Sequence, residues 1–290
     1  MKIIYSEKCA EYNAPYHPES PARVLGTKKF LDTKGFEFVI PKPATETDIM
    51  AVHTKKLLEM VRKEDFIDAD TPALPGIFNY ALLSAGAAIE AANFSKSGEF
   101  AFSMMRPPGH HAGKNFLGGF CYFNNIAIAT KYLIAQSPNP RLKSGATIAI
   151  LDIDCHHGNG TQDIFLGDAN VVYISLHQVP LYPGTGLKSE KNCLNFPLSP
   201  GTDETRYLEI LDIALTEIKK VEPDIIGISV GFDTYENDPL TQLNLKKESY
   251  TKIAQKIAGL HLKTFAVLEG GYSPEMPECV FNFLAGFETL

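Results

Sequence analysis

Five short apolar runs, each ending in residues that carry chemistry, constrain this chain more than any other feature of its sequence. They are Phe100 to Met105 (FAFSMM), Ala146 to Ile153 (ATIAILDI), Val171 to Leu176 (VVYISL), Asp224 to Val230 (DIIGISV) and Thr264 to Leu268 (TFAVL). Their hydrophobicity is nearly continuous, and β-branched and aromatic residues are frequent. Strands buried on both faces of a parallel sheet read this way. Helical patterns lie between them: Ile77 to Phe94, Tyr122 to Gln136, Asp203 to Val221 and Lys247 to Leu260. Thr202, with Glu204 and Thr205 after it, predicts the start of the third, and Pro223 stops it. The alternation predicts an α/β fold with a mostly parallel sheet. The Pro- and Gly-containing stretches Pro138 to Gly145, Tyr182 to Gly186 and Ser199 to Gly201 are short enough to be loops, and no linker or repeat interrupts the pattern. One domain over residues 1–290 is expected.

The residues after each run are unusual. FAFSMM is followed by Arg106-Pro107-Pro108-Gly109-His110-His111. The second run leads through Asp152 and Asp154 to Cys155-His156-His157-Gly158. The third ends at His177, the fourth at Gly231-Phe232-Asp233, and the fifth at Glu269-Gly270-Gly271-Tyr272. Open parallel sheets place ligands beyond the carboxyl ends of their strands. Five such endings together predict one site along one edge of the sheet.

Composition excludes several function classes. Lys and Arg number 27 against 34 Asp and Glu, a net charge of −7, which argues against non-specific nucleic-acid binding and is compatible with cationic substrates. No apolar run approaches the ~18–20 residues that span a bilayer. The start of the chain turns polar after four residues, unlike a secretory signal. The five cysteines are odd in number and include no CxxC pair, as expected of reduced thiols in a cytoplasmic protein.

Asp152, Asp154 and His156 are spaced by two, so on an extended strand end they project to one side. Two carboxylates and an imidazole suit a divalent metal of the Zn or Fe class, with an open position for water, and Asp233 offers a further ligand from another strand end. His110 and His111 fit a general base and acid, with Asp152 and Asn159 as acceptors that set their tautomers. Tyr272, after two glycines, fits a phenol that holds an oxyanion. Read bare, the carboxylates also fit helix caps and surface positions, and Tyr272 a half-buried phenol after a turn. Cys155 falls on the opposite side from its neighbours. Gly158-Asn159-Gly160 and Gly184-Thr185-Gly186 lack the spacing of phosphate-binding loops.

The ordered set HPESPARV (17–24), RPPGHHA (106–112), GGFCYFNN (118–125), DIDCHHGNGTQ (152–162), ISLHQ (174–178), YPGTG (182–186), GFDTYENDPL (231–240) and LEGGY (268–272) resembles the zinc-dependent histone deacetylase family, which includes acetylpolyamine amidohydrolases. The resemblance spans nearly the whole chain. It implies the arginase–deacetylase fold, a three-layer αβα arrangement about a central, mostly parallel sheet. It implies Zn²⁺ held by Asp154, His156 and Asp233. His111 would act as base and then acid, His110 electrostatically beside Asp152, and Tyr272 on the scissile carbonyl. Gly119, Phe120 and Tyr182 match tunnel walls, Leu240 a tunnel floor, and Asp70 a rim aspartate that binds the substrate backbone or amine. A structural K⁺ would lie on carbonyls of Asp152, Asp154, His156 and Leu176, with the Asp152 carboxylate and the Ser175 hydroxyl. A second monovalent site would involve Phe165, Asp168 and Val171. Asn159 stands where class I members have Asp, as in class II and bacterial members. The implied reaction is removal of acetyl or another acyl group from the ε-amine of acetyl-lysine in proteins or peptides. The alternative substrate is an acetylpolyamine or another small N-acyl amine. Every metal and acid–base position carries a competent residue, which argues against a binding protein that has lost catalysis.

Overall fold

The computed structural model describes residues 1–136 and 148–288. The expected loop from Pro138 to Gly145 and the first two residues of the second apolar run lie outside the described residues. Among the described residues, eight strands form one sheet in the order β2-β1-β3-β8-β7-β4-β5-β6, with every pairing parallel. The strands are β1 (Lys2–Ile4), β2 (Phe38–Val39), β3 (Ala101–Ser103), β4 (Ile148–Asp152), β5 (Val171–Gln178), β6 (Cys193–Leu198), β7 (Ile225–Val230) and β8 (Lys263–Leu268). Strands β3, β4, β5 and β7 are buried at every residue, the physical reason for their unbroken apolar runs.

Handedness sorts the helices. A crossover between parallel strands is almost always right-handed, so connections that move in opposite directions along the sheet lie on opposite faces. α2 (Glu46–Met50), α3 (Lys55–Lys63) and α4 (Ile77–Lys96) lead from β2 to β3, α5 (Asn125–Gln136) from β3 to β4, and α6 (Asn159–Phe165) from β4 to β5, all in one direction. α1 (Pro21–Asp32), α7 (Glu204–Val221) and α8 (Ser249–Ala258) lead the other way, and α9 (Met276–Glu288) ends the described chain beside α8 and α1. Packing follows the same division. α4 lies on β1, β3 and β8 and against α5, whereas α1, α9, α8 and α7 pack in a row. The result is the expected three-layer α/β arrangement. No helix among the described residues is long and apolar enough to cross a membrane.

Local corrections have simple causes. The third long helix is capped by Asp203, whose side chain accepts from the Arg206 amide, rather than by Thr202. The second starts at Asn125 instead of Tyr122, because Asn124 Oδ1 accepts from the Ala127 amide and serves as the cap.

His53, between α2 and α3, fastens this layer to the strand-end loops. Its Nδ1–H donates to the Gly113 carbonyl at 2.8 Å, and its Nε2 accepts from the Asn124 amide at 2.9 Å. Burial depresses this imidazole to about 4. The folded chain therefore keeps His53 neutral at pH values where the unfolded chain takes up a proton. The sign follows: this contribution is complete above pH ~6.5 and declines as pH falls toward 4, by at most about 1.4 kcal/mol per pH unit. Denaturant unfolding of the protein and of His53→Gln between pH 7 and 4.5 checks this. The wild type should lose more stability than the variant over that range.

Candidate active site

The topology opens a crevice where outgoing connections diverge. β4 and β7 are neighbours, but β4 leads to α6 on one face and β7 to α8 on the other. Asp154 and His156 follow β4, and Asp233 follows β7. β3 and β8 are also neighbours and diverge to α5 and α9. His110 and His111 follow β3, and Gly270 and Tyr272 follow β8.

Ligand-capable atoms of Asp154, His156 and Asp233 all lie within 4.8 Å of one another. His156 Nδ1 is 3.1 Å from Asp154 Oδ1 and 2.8 Å from Asp233 Oδ2. The other carboxylate oxygens are held from behind. Asp154 Oδ2 accepts from the Gly270 amide at 2.7 Å, and Asp233 Oδ1 from the Cys155 amide at 2.9 Å. A Cβ at Gly270 would run into both carboxylates, so glycine there is a condition of the cluster. Two carboxylates and one imidazole, buried and convergent, are a donor set that could hold a divalent metal. Asp152 does not join them, although its spacing matches. β4 ends at Asp152, and its carboxylate instead accepts from His110 Nδ1 at 3.1 Å and from the Tyr173 hydroxyl at 2.9 Å.

The tandem histidines divide by their partners. Burial opposes a charge on His110, but Asp152, Asp154 and Glu269 outweigh it and raise this imidazole to about 10. His111 donates through Nδ1 to Asn159 Oδ1 at 2.8 Å, leaving the Nε2 lone pair free to accept a proton. Burial, with His110 and His156 beside it, holds His111 well below the usual imidazole range. Burial also holds the Tyr272 phenol well above its usual range, so the hydroxyl keeps its proton.

His110, His111, Asp154, His156 and Tyr272 line one cavity of about 220 Å³ together with Asp70, Gly119, Phe120, Tyr182 and Leu240. The structure thus brings the expected substrate-contacting residues to the same opening as the cluster. Leu240 is 38% exposed and Tyr182 43%, which puts Leu240 near the mouth and not on a floor. Gly119 sits at φ +55° against the His111 ring, where a Cβ would collide. Phe120 holds φ +70°, a conformation that costs a non-glycine residue roughly 1–2 kcal/mol. Its amide donates to Thr71 Oγ1, and Asp68 Oδ1 accepts from the amides of Asp70 and Thr71, so the rim loop and the wall form one hydrogen-bonded unit.

Residues 17–286 match the histone deacetylase domain. The chain belongs to the histone deacetylase family. It is similar to a probable deacetylase of Archaeoglobus fulgidus, 40% identical over 94% of this chain and 81% of that one. It is also similar to acetylpolyamine amidohydrolase 2 of Pseudomonas aeruginosa, 37% identical over 76% of this chain and 66% of that one. A crystal structure of acetylpolyamine aminohydrolase from Burkholderia pseudomallei superposes with a TM-score of 0.89 at 27% identity, covering 100% of this chain and 99% of that one.

Several further residues within these motifs shape the site of this histone deacetylase family member in ways the motifs do not reveal. Glu269 is fully buried. Its Oε2 accepts from the amides of Gly109 at 2.7 Å and His110 at 3.1 Å, and its Oε1 from Ser229 Oγ. It therefore fixes the backbone that carries both histidines, and an acid ending an apolar strand was the available signal. Glu269→Leu leaves two buried N–H groups unpaired and should cost about 2–5 kcal/mol, whereas Glu269→Gln keeps an acceptor and should cost less than about 1.5 kcal/mol. Denaturant unfolding of the two variants separates them. Arg106 donates Nε and Nη2 to the Glu19 carboxylate, and Arg23 donates to Glu19, to the Gly271 carbonyl and to the Glu269 carbonyl. The Arg23 guanidinium also lies 4.7 Å from the centre of the Tyr272 ring.

The residues expected to hold monovalent ions differ in setting. Asp152 and Ser175 are paired across β4 and β5, and Ser175 Oγ is 2.8 Å from His177 Nδ1. Leu176 follows in the same strand. The carbonyls of Phe165, Asp168 and Val171 instead all face the side chain of Asn192.

Proposed function

We propose that this chain is a metal-dependent amidohydrolase that removes the acetyl group from an acetylated alkylamine, and that Zn²⁺ is its metal. Asp154, His156 and Asp233 would hold the ion. When bound, it supplies Lewis acidity that polarises an amide carbonyl and lowers the pKa of a water.

The observation that carries the reading is His111. Its Nδ1 is committed to Asn159, its imidazole is neutral, and it lines the same cavity as the Asp154–His156–Asp233 cluster and Tyr272. Nε2 of His111 accepts a proton from the attacking water and later gives it to the departing nitrogen. A C–O bond forms, the C–N bond breaks, and acetate and a free amine leave. His110, charged and anchored on Asp152, stabilises negative charge electrostatically. The protonated Tyr272 hydroxyl donates to the carbonyl oxygen as that oxygen gains charge.

The acetyl-lysine of a protein is the broader reading of the substrate. An acetylated polyamine is favoured by the similarity to acetylpolyamine amidohydrolases and by the rim, where Asp70 borders the cavity and the Asp68 carboxylate lies close to Gly118. A cationic group on the substrate would meet these carboxylates.

Turnover of an N-acetylated diamine, an acetyl-lysine peptide and an uncharged N-acetylalkylamine tests the reading. The diamine should be cleaved with the highest kcat/KM. Asp70→Asn should raise its KM roughly 3–10-fold while leaving the uncharged amide unaffected. Equal kcat/KM for the diamine and the uncharged amide would contradict the rim's role.

A further inference from the structure

At the second cation position implied by the family resemblance, a side-chain nitrogen stands among the carbonyl oxygens. Asn192 immediately precedes β6, and its Nδ2 lies 2.8 Å from the Phe165 carbonyl oxygen, 3.2 Å from that of Asp168 and 2.8 Å from that of Val171. Three carbonyl oxygens aimed at one point demand a positive partner there, either a cation or an N–H donor. The amide nitrogen already stands at hydrogen-bond distance from all three, which leaves no room for an ion between them.

The amide has one consistent orientation. Asn192 Oδ1 accepts from the Gly167 amide at 2.6 Å. Turning the amide over would press its oxygen against three carbonyls and its NH₂ against an N–H donor. The nearby carboxylate is neutralised by the protein as well. Lys131 Nζ lies 2.6 Å from Asp168 Oδ2, and it stands 5.3 Å from the centre of the Phe165 ring. An amide nitrogen thus supplies the central donor, and a lysine supplies the charge.

We infer that Asn192 takes the place of a second monovalent cation, closing the turn between α6 and β5 with the chain's own amide. The turn follows the helix that begins at Asn159, the partner of His111, and precedes the strand that carries Ser175. Its geometry is therefore set without an ion at this point, whichever amide the enzyme cleaves. Asn192 reaches this position alone, and the Asp152–Ser175 position is separate from it.

Asn192→Asp is the direct test. An aspartate keeps the size of the side chain but places an oxygen where the NH₂ group stands, which converts the cage into four oxygens that require a cation. Crystals of both proteins grown with thallium(I) in place of potassium locate each ion by anomalous scattering. The wild type should show no peak among the carbonyls of Phe165, Asp168 and Val171, and Asn192→Asp should show one. The variant's melting temperature should also rise with potassium, relative to tetramethylammonium at equal ionic strength, by more than the wild type's does. If Asn192→Asp does not fold, Asn192→Ala opens the same space and should show the same excess potassium dependence. A thallium peak on the three carbonyls of the wild type, with Asn192 turned away, overturns the inference. So does a variant with neither a peak nor excess potassium dependence.

Discussion

If the proposed metal sits on Asp154, His156 and Asp233, Asp233→Asn should leave the fold intact and strip the protein of that metal. The substitution is nearly isosteric, and the amide oxygen can still accept from the Cys155 amide as Oδ1 does now. What disappears is one negative charge from a buried cluster in which Asp154, His156 and Asp233 converge within 4.8 Å. Removing an outer-shell partner of a metal ligand already costs ~10–100-fold in affinity, so losing a charged ligand should exceed ~100-fold. Metal content after dialysis, measured beside the circular dichroism of the same sample, checks this. A folded variant that retains a full equivalent of metal would remove Asp233 from the ligand set.

The second large effect is expected at Tyr272. Its phenol lines the cavity, keeps its proton, and lies against the Arg23 guanidinium on one side and the Phe120 ring on another, with ring centres 5.8 Å apart in the latter pair. Its amide donates to Asp238 Oδ2 at 2.7 Å, so the backbone is fixed independently of the hydroxyl. Tyr272→Phe should therefore fold normally and bind substrate with little change in KM. If the hydroxyl serves the developing oxyanion, kcat should fall by roughly 10²–10³. Steady-state kinetics at saturating metal separate the two parameters. A wild-type kcat in the folded variant would exclude the hydroxyl from the reaction.

Much of this site was legible in the sequence because chemistry sits at strand ends. A buried parallel strand must be apolar throughout, so the first polar residues beyond it stand out, and Asp154, His156, Asp233, His110, His111 and Tyr272 all follow such runs. The remainder was hidden for identifiable reasons. β1 and β2 are three and two residues long, too short for any period to register. β6 carries Asn195 and Pro197, residues that count against a strand, and it tolerates them as the edge strand of the sheet. The network of Glu19, Arg106 and Arg23 with the Gly271 carbonyl joins residues up to 248 positions apart, a distance no local pattern encodes. Asn192 is an ordinary loop residue until three carbonyls are seen to converge on its side chain. Equal spacing alone puts Asp152, Asp154 and His156 in a single row, but the strand ends at the first of them; Asp152 meets His110, the partner expected of it, and also Tyr173, which no local pattern signals.

The central claim, that one cavity combines a metal with His111 and Tyr272 to cleave an N-acetyl amide, is tested most directly by metal-restored turnover. The purified protein is assayed on an N-acetylated diamine and on an acetyl-lysine peptide as isolated, after chelation, and after stoichiometric zinc is returned. Acetate should be released from at least one of the two substrates, with chelation abolishing the release and zinc restoring it. Zinc bound at full occupancy with no acetate released from either substrate would contradict the claim, as would turnover that survives complete removal of the metal.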